Sequence, residues 1–111
     1  MRRYETIVIV RPGAGETEFS SVSDKVTGTI EGFGGLIVRI DRWGLKKLAY
    51  PIKKEAQGDF LYVEYAGLPE GVKEMERLIR IDDRVLKFMT VKTQDVFTPD
   101  APKTEEPAEP E

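Results

Sequence analysis

The chain has 111 residues, 40% of them hydrophobic and 33% charged, with a formal net charge of −3 and with neither cysteine nor histidine. This composition is typical of one globular domain, and the two missing residue types exclude disulfides, thiol chemistry and the commonest general base and metal ligand. The aliphatic run Ile7–Val10 is too short for a signal-peptide core or a membrane span, so we expect a soluble cytoplasmic protein.

The first strand is predicted at about Arg3–Val10, where side chains alternate between two faces. Turn residues in Arg11–Gly15 end it. A helix follows, and the acidic residues of its first turn suit the helix dipole. Apolar residues at three- and four-residue spacing give this helix a buried stripe of Phe19, Val22, Val26, Ile30 and Phe33. Gly34 is a suitable residue to end the helix.

The second strand is predicted at about Leu36–Ile52, and Gly44 within it indicates a bulge or a sharp bend. The polar segment Lys53–Gly58 is interpreted as a hairpin loop. A third strand follows at about Asp59–Ala66, with regular alternation. Pro69 then opens a second helix, at a position that proline favours.

The second helix carries an apolar stripe of Leu68, Val72, Met75 and Ile79 and ends at Asp82-Asp83. A fourth strand is predicted at about Val85–Thr93. The order β-α-β-β-α-β, with short connections and right-handed crossovers, predicts an α+β fold: the ferredoxin-like split β-α-β sandwich. In this fold two helices cover one face of a four-stranded antiparallel sheet. We expect the other face to be open and therefore available for binding.

The C-terminal segment differs from the rest of the chain. Residues 98–111 are rich in proline and acid and contain no large apolar side chain, so we expect a disordered tail after a folded domain of residues 1–97. From residue 95 onward the net charge is −5, whereas residues 1–94 carry 16 basic and 14 acidic residues, a net charge of +2. The folded part is therefore weakly basic behind an isoelectric point of about 5.1.

Three patterns that could carry catalysis or metal binding have simpler structural explanations. Arg11–Gly15 lies between a strand and a helix, as phosphate loops do. However, Glu18 stands where the dinucleotide pattern has glycine, and no Walker lysine follows. The neighbours Asp82 and Asp83 point apart and suit a turn, and the serines around Ser20 have no base beside them. We predict no catalytic residue, metal site, cofactor or small-molecule substrate.

Basic and aromatic residues are interleaved along the predicted strands. The basic residues are Arg2, Arg3, Lys46, Lys47, Lys53, Lys54, Arg80, Arg84, Lys87 and Lys92, and the aromatic ones are Tyr4, Tyr50, Phe60 and Tyr62. This combination suits phosphate contacts and base stacking on RNA. Because the net charge is only +2, composition alone slightly favours an ordinary solvated surface with a few core aromatic residues over RNA binding. The aromatic spacing of the third strand does not match the RNA-recognition motif.

The segment Gly44–Ile52 mixes apolar with basic residues. Because Pro51 cannot donate to a central strand ladder, this end of the second strand is expected at a sheet edge. An edge with apolar side chains is a docking surface for a peptide or protein. The alternative is a long twisted hairpin covered by the chain's own helix. For Trp43, a core, bulge or interface position stays open.

Taken together, these segments resemble the bacterial small-subunit ribosomal protein S6 family. The resemblance covers about residues 1–97. It rests on four segments in the same order and spacing: Arg2-Arg3-Tyr4-Glu5, Gly44–Ile52 with its Leu48-Ala49-Tyr50-Pro51-Ile52, Gly58–Tyr62, and Leu78–Lys92 with its Arg80, Asp83, Val85 and Met89. It implies the ferredoxin-like fold, a heterodimer with ribosomal protein S18, and joint binding to the central domain of small-subunit ribosomal RNA. The implied role is in subunit assembly and translation, within the cytoplasmic small ribosomal subunit.

The resemblance also implies which residues act. In that family the N-terminal Arg-Tyr and the basic positions of the last strand lie toward RNA, with a hairpin lysine as a weaker candidate. Carried over to this chain, the RNA-binding residues are Arg2, Arg3, Tyr4, Lys54, Lys87 and Lys92. The candidate partner-binding residues lie in Gly44–Ile52 and are Leu45, Lys46, Lys47, Leu48, Ala49 and Tyr50. Because the family varies at its C-terminus, the tail receives no role.

Two other classes of protein share this topology. A small ligand-sensing regulatory domain would bind its ligand at a dimer interface, and the sequence offers no evident pocket residues for it. An acylphosphatase-type enzyme would need an arginine in the loop after the first strand and a catalytic asparagine. Arg11 is present, but the chain contains no asparagine.

Overall fold

Six regular elements make up the computed structural model, which describes residues 2–94. They are β1 (Arg2–Val10), α1 (Gly15–Gly32), β2 (Leu36–Ile52), β3 (Glu55–Gly67), α2 (Pro69–Arg80) and β4 (Val85–Gln94). The strands form one antiparallel sheet in the order β2-β3-β1-β4. This arrangement confirms the predicted ferredoxin-like sandwich. The predicted tail, residues 98–111, lies outside the described part of the chain.

The two helices follow the apolar stripes of the sequence closely. The residues they bury in the core are Phe19, Val22, Val26 and Ile30 on α1, and Val72, Met75 and Ile79 on α2. Phe33, which we predicted within the stripe, lies just past the end of α1 and is 42% exposed. The reason is Gly34, whose positive φ turns the chain so that the Gly34 and Gly35 amides donate to the carbonyls of Glu31 and Ile30.

One face of the sheet packs against both helices through a continuous apolar cluster. The sheet contributes Tyr4, Val8, Val10, Leu61, Val63 and Tyr65, each at most 7% exposed. Inside the cluster the hydroxyl oxygens of Thr6 and Tyr65 lie 2.8 Å apart, and those of Thr6 and Thr90 lie 3.0 Å apart. These polar groups therefore satisfy one another, and burial raises the pKa of Tyr65 above its ordinary value.

The connection between β2 and β3 is shorter than the sequence suggests. We predicted a polar loop at Lys53–Gly58, but β3 already begins at Glu55 and the turn consists of Lys53 and Lys54 alone. Both turn residues have positive φ, 50° and 68°, as a two-residue type I′ hairpin turn requires. The prediction was wrong because residues 55–57 pair in a two-stranded ribbon, where polar side chains mark solvent exposure rather than a loop.

Gly44 bends the long strand β2, as predicted. Its φ is 86°, and the pairing with β3 shifts register between Arg42 and Gly44. Beyond this bend, residues 44–58 form a hairpin arm that folds toward the outer face, the sheet face away from the helices. At the base of the arm Gly58 is buried, and a Cβ there would meet Cγ2 of Ile9 at 2.2 Å. Only glycine permits so close a crossing.

The outer face is not open in the way we predicted. A second apolar cluster forms on it, from Ile7, Ile9, Leu48, Phe60, Tyr62 and Leu86, with Trp43 and Ile52 packed against it. The arm supplies Leu48, which is only 5% exposed, and its turn reaches β4 at the opposite sheet edge. Because β2 is 17 residues long and bends at Gly44, the chain covers this face itself. Trp43 stacks on Tyr62, with ring centroids 5.3 Å apart, and packs against this cluster as a partly buried side chain.

Candidate nucleic-acid interface

Many basic side chains of the domain are already neutralised by carboxylates. The ion pairs join Arg3 to Glu64, Arg11 to Glu18, Lys25 and Arg84 to Asp82, Arg39 to Asp41, Arg42 to Glu16 and Asp59, and Arg77 to Glu74. Hydrogen bonds to Asp59 and then Glu16 raise the pKa of Arg42 further above its ordinary value. A nucleic acid would therefore meet fewer available charges than the sequence count suggests.

Other basic side chains form no ion pair with a carboxylate within residues 2–94. They are Arg2, Lys47, Lys53, Lys54, Lys73, Arg80 and Lys87. Most of them lie on the hairpin arm, the end of α2 and the start of β4. This end of the molecule is where charge is available for phosphate groups.

The N-terminal residues expected to face RNA separate onto different surfaces. Arg2 is exposed. Arg3 is 7% exposed and pairs with Glu64 on the outer face. Tyr4 is also 7% exposed, but it lies on the helix-covered face and stacks on Tyr65, with ring centroids 5.6 Å apart. Of the three, Arg2 alone presents an exposed side chain.

Arg3 belongs to a buried polar group on the outer face. Glu5 and Glu64 lie directly opposite each other on β1 and β3, an arrangement that would be repulsive without compensation. The Tyr62 hydroxyl donates to Glu5 at 2.5 Å, and Arg3 pairs with Glu64. The Arg3 side chain therefore has a structural role inside the domain.

The two lysines of β4 that the resemblance singled out lie on opposite faces. Lys87 is paired across the ladder with Ile9 and shares its outer face, whereas Lys92 is paired with Tyr4 and shares the helix-covered face. Cross-strand partners point to the same side of a sheet, and side chains along one strand alternate between its faces. Lys87 and Lys92 are five residues apart, an odd number, so they lie on opposite faces. One flat surface cannot hold both, and an RNA contacting both would have to pass around the β4 edge.

A small cleft with a volume of about 270 Å³ lies where the arm tip, the end of α2 and the start of β4 meet. Its lining residues are Lys53, Ile79, Arg80, Val85, Leu86, Lys87 and Phe88. We call it the basic cleft. Of its three cations, only Lys87 was predicted as a site residue. The sequence showed Lys53 only as part of the pair Lys53-Lys54, and Arg80 only as one of the basic residues at the end of the second helix and in the segment that carries the family resemblance. The two-residue turn that brings Lys53 here was not recognised.

The candidate partner-binding residues of the arm divide by side. Leu45 and Tyr50 are 59% and 51% exposed, and Lys47 and Ala49 are also exposed. Leu48 points inward to the outer-face cluster. Lys46 lies over the Trp43 ring, with its Nζ 4.9 Å from the centroid. The solvent side of the arm is thus a mixed apolar and basic surface on an edge strand.

Asp82 lies in the turn before β4 and has a structural role, which agrees with the interpretation of Asp82-Asp83 as turn residues. Its carboxylate accepts hydrogen bonds from the Lys25 ammonium at 2.7 Å, from the Arg84 guanidinium at 2.7 and 2.9 Å, and from the Arg84 main-chain amide at 3.0 Å. The bonds to Arg84 and then Lys25 hold the pKa of Asp82 well below its ordinary value. Asp82 therefore connects α1 to the start of β4.

In the segment Arg11–Gly15, the Arg11 guanidinium pairs with Glu18 of the following helix. Within residues 2–94 no group of three or more acidic side chains is placed to hold a metal ion. In the same part of the chain, neither helix combines the length and apolar character needed to cross a membrane.

Comparison with protein families matches the model described as "Ribosomal protein S6" to residues 3–92 of this chain. Two similar proteins are the small ribosomal subunit proteins bS6 of Geobacter sulfurreducens and Syntrophobacter fumaroxidans. The first is 43% identical over 103 residues, which are 93% of this chain and 88% of the relative. The second is 43% identical over 100 residues, which are 90% of this chain and 68% of the relative.

Two solved structures are similar in fold. The crystal structure of 30S ribosomal protein S6 from Thermotoga maritima superposes with a TM-score of 0.76 at 28% identity, covering 82% of this chain and 86% of that one. The C-terminal domain of the MgtC protein from Mycobacterium tuberculosis gives a TM-score of 0.61 at 12% identity, covering 86% and 90%. The second similarity concerns the fold alone.

Proposed function

The chain belongs to the ribosomal protein S6 family, and we propose from this membership that it binds the central domain of small-subunit ribosomal RNA as a heterodimer with ribosomal protein S18. Its action is assembly: two small proteins pair, and their joined surface holds an RNA junction. The observation that carries the proposal is the family match over residues 3–92, nearly all of the folded domain. The relatives described above are named as ribosomal proteins and not as enzymes.

For the RNA side we propose two kinds of residue. Arg2, Lys54, Lys87 and Lys92 would contact the RNA directly, and phosphate oxygens are the natural acceptors for such side chains. Arg3 and Tyr4 are buried and would support RNA binding indirectly. Their contacts with Glu64 and Tyr65 fix the strand from which Arg2 extends. This division follows from burial, since a side chain that is 7% exposed offers little surface to a ligand.

We further propose that this chain binds RNA weakly without its partner. Residues 1–94 have a net charge of only +2, and many of their cations are already paired. Neutralisation of phosphates supplies a large share of the affinity in RNA complexes. S18 would therefore have to contribute cations to the joint surface.

For the partner side we propose the solvent side of the hairpin arm. Its exposed residues Leu45, Lys47, Ala49 and Tyr50, with Lys46 beside them, offer an apolar surface with basic residues at its edge. The buried Leu48 would contribute indirectly, because it holds the arm against the outer face. Protein interfaces commonly combine an apolar centre with a polar rim in this way.

A filter-binding titration tests the proposal. The probe is a transcribed central-domain fragment of small-subunit ribosomal RNA, titrated with the isolated chain, with S18 alone and with an equimolar mixture. We expect tight binding by the mixture, with an affinity that falls about 10³-fold between about 50 and 200 mM salt. Tight, salt-resistant binding by the isolated chain would overturn the proposed division of labour, and no binding by the mixture would overturn the function itself.

A further inference from the structure

The basic cleft holds its cations in fixed positions, as a built site does. Lys53 is the first residue of the type I′ turn, and its Nζ donates to the main-chain carbonyl oxygen of Val85 at 3.1 Å. An ammonium group has three N–H donors, so two remain for a ligand after this bond is made. The arm tip thus presents Lys53 at the wall of the cleft.

The other two cations are oriented by aromatic rings. Nζ of Lys87 donates to the Tyr50 hydroxyl at 3.2 Å and lies 5.7 Å from the centroid of that ring. Cζ of Arg80 lies 5.4 Å from the centroid of Phe88. Contact with a ring face orients a cation without neutralising its charge.

The charge in the cleft is uncompensated by the surrounding domain. Lys53, Arg80 and Lys87 form no ion pair with any carboxylate in residues 2–94, whereas the nearby Arg84 is neutralised by Asp82. The carbonyl end of α2 carries only about half a negative charge. Three cations outweigh it, so the cleft favours an anion.

The size and floor of the cleft indicate which anion. Its volume of about 270 Å³ lies near the lower end of the range of roughly 300–1,000 Å³ that is common for small-molecule sites, so it suits one small group. Ile79, Leu86 and Phe88 give it an apolar floor beside the three cations. A single phosphodiester with its ribose, as part of a longer polymer, satisfies both features.

We propose that the basic cleft binds one backbone phosphate of RNA through Lys53, Arg80 and Lys87, with the attached ribose against the partly exposed ring of Phe88. This inference rests on the proposed RNA-binding function. It adds Lys53 and Arg80 to the RNA surface and places the contact at the junction of the arm, α2 and β4.

The test compares two cleft variants with a matched control in the same filter-binding titration, using the equimolar mixture with S18 and the central-domain RNA fragment. R80Q and K53Q each remove one cleft cation. K73Q removes an exposed cation from α2, the helix that also carries Arg80, but Lys73 lies outside the cleft. Thermal unfolding of each variant, followed by circular dichroism, identifies any loss of folded protein.

We expect R80Q and K53Q each to weaken binding about tenfold and to lower the steepness of the salt dependence by about one. K73Q should match the unsubstituted chain, and R80K, which keeps the charge, should retain most of the affinity. If R80Q and K53Q bind as K73Q does while the unsubstituted mixture binds tightly, the cleft inference is wrong and the proposed function stands. If the unsubstituted mixture does not bind the RNA, the cleft inference and the proposed function are both wrong.

Discussion

The side chain of Lys53 donates a hydrogen bond to the main-chain oxygen of Val85, 3.1 Å away, and so joins the tip of the hairpin arm to the strand at the opposite edge of the sheet. This contact helps the chain to cover its own outer face. Instead of leaving that face open, β2 bends at Gly44 and places Leu48 and Trp43 over it. The surfaces left for partners are the solvent side of the arm and the β4 edge.

Substitution of Leu48 tests whether the arm is part of the core. L48A should lower the free energy of unfolding by about 2–5 kcal/mol, because it leaves a cavity in the outer-face cluster. L45A changes the same residue type on the exposed side of the arm and should shift it by no more than about 0.5 kcal/mol. Urea unfolding followed by tryptophan fluorescence measures both. Equal effects would mean that the arm does not pack on the sheet.

Asp82 should make stability depend on acid pH. Its folded-state pKa lies below the ordinary value of 3.8, so its contribution is complete above about pH 4 and is lost as pH falls further. D82N should reduce the free energy of unfolding by about 2 kcal/mol at neutral pH, through loss of charged hydrogen bonds to Arg84 and Lys25.

The difference between D82N and the unsubstituted chain should shrink when urea unfolding is repeated below pH 4. D83N changes the neighbouring exposed carboxylate and serves as the control, with a change of no more than about 0.5 kcal/mol expected at neutral pH. A constant difference across the acid range would show that Asp82 does not act through its charge.

Two glycine-to-alanine substitutions should act with opposite signs. Gly44 has a φ of 86°, so G44A should destabilise the domain by about 1–2 kcal/mol even though nothing lies within 4 Å of the added methyl group. Gly28 lies in the middle of α1 with the same open space, so G28A should stabilise by about 0.5–1 kcal/mol. Thermal melting of both proteins decides this, and a stabilising G44A would refute the bend at that position.

The partner surface can be tested with two exposed leucines of β2. L45D places a charge on the solvent side of the arm and should weaken pairing with S18 by at least about tenfold, because it buries a charge in the interface. L36D places the same charge at the start of the strand, outside the arm, on a side chain of similar exposure. Titration calorimetry with S18 should leave L36D near the unsubstituted affinity. An equal loss of S18 affinity in both variants, or no loss in L45D, would show that the partner surface lies elsewhere.

The fold could be predicted almost completely from sequence because its signals are local. The stripe from Phe19 to Ile30, Pro69 at the start of α2 and the alternation of β3 each report the environment of their own element. Gly44 even marked the bend in β2. What these patterns could not report is where the strand goes after the bend, since that depends on contacts with β1 and β4, which are distant in sequence.

The candidate site was less accessible to prediction for the same reason. The family resemblance assigned Arg3 and Tyr4 to the RNA surface, but Glu64 and Tyr65 on the paired strand bury both side chains. The basic cleft needs three separate elements to exist at all, and recognising it requires knowing that Lys53 is a turn residue.

Sedimentation in a sucrose gradient shows whether this chain is a constituent of the small ribosomal subunit. The 111-residue chain is tagged and expressed in cells of its source organism, and a lysate is sedimented under magnesium conditions that separate the subunits. We predict that the chain sediments with the small subunit and remains there after a moderate salt wash. A chain found only at the top of the gradient, while other small-subunit proteins stay in place, would contradict this account.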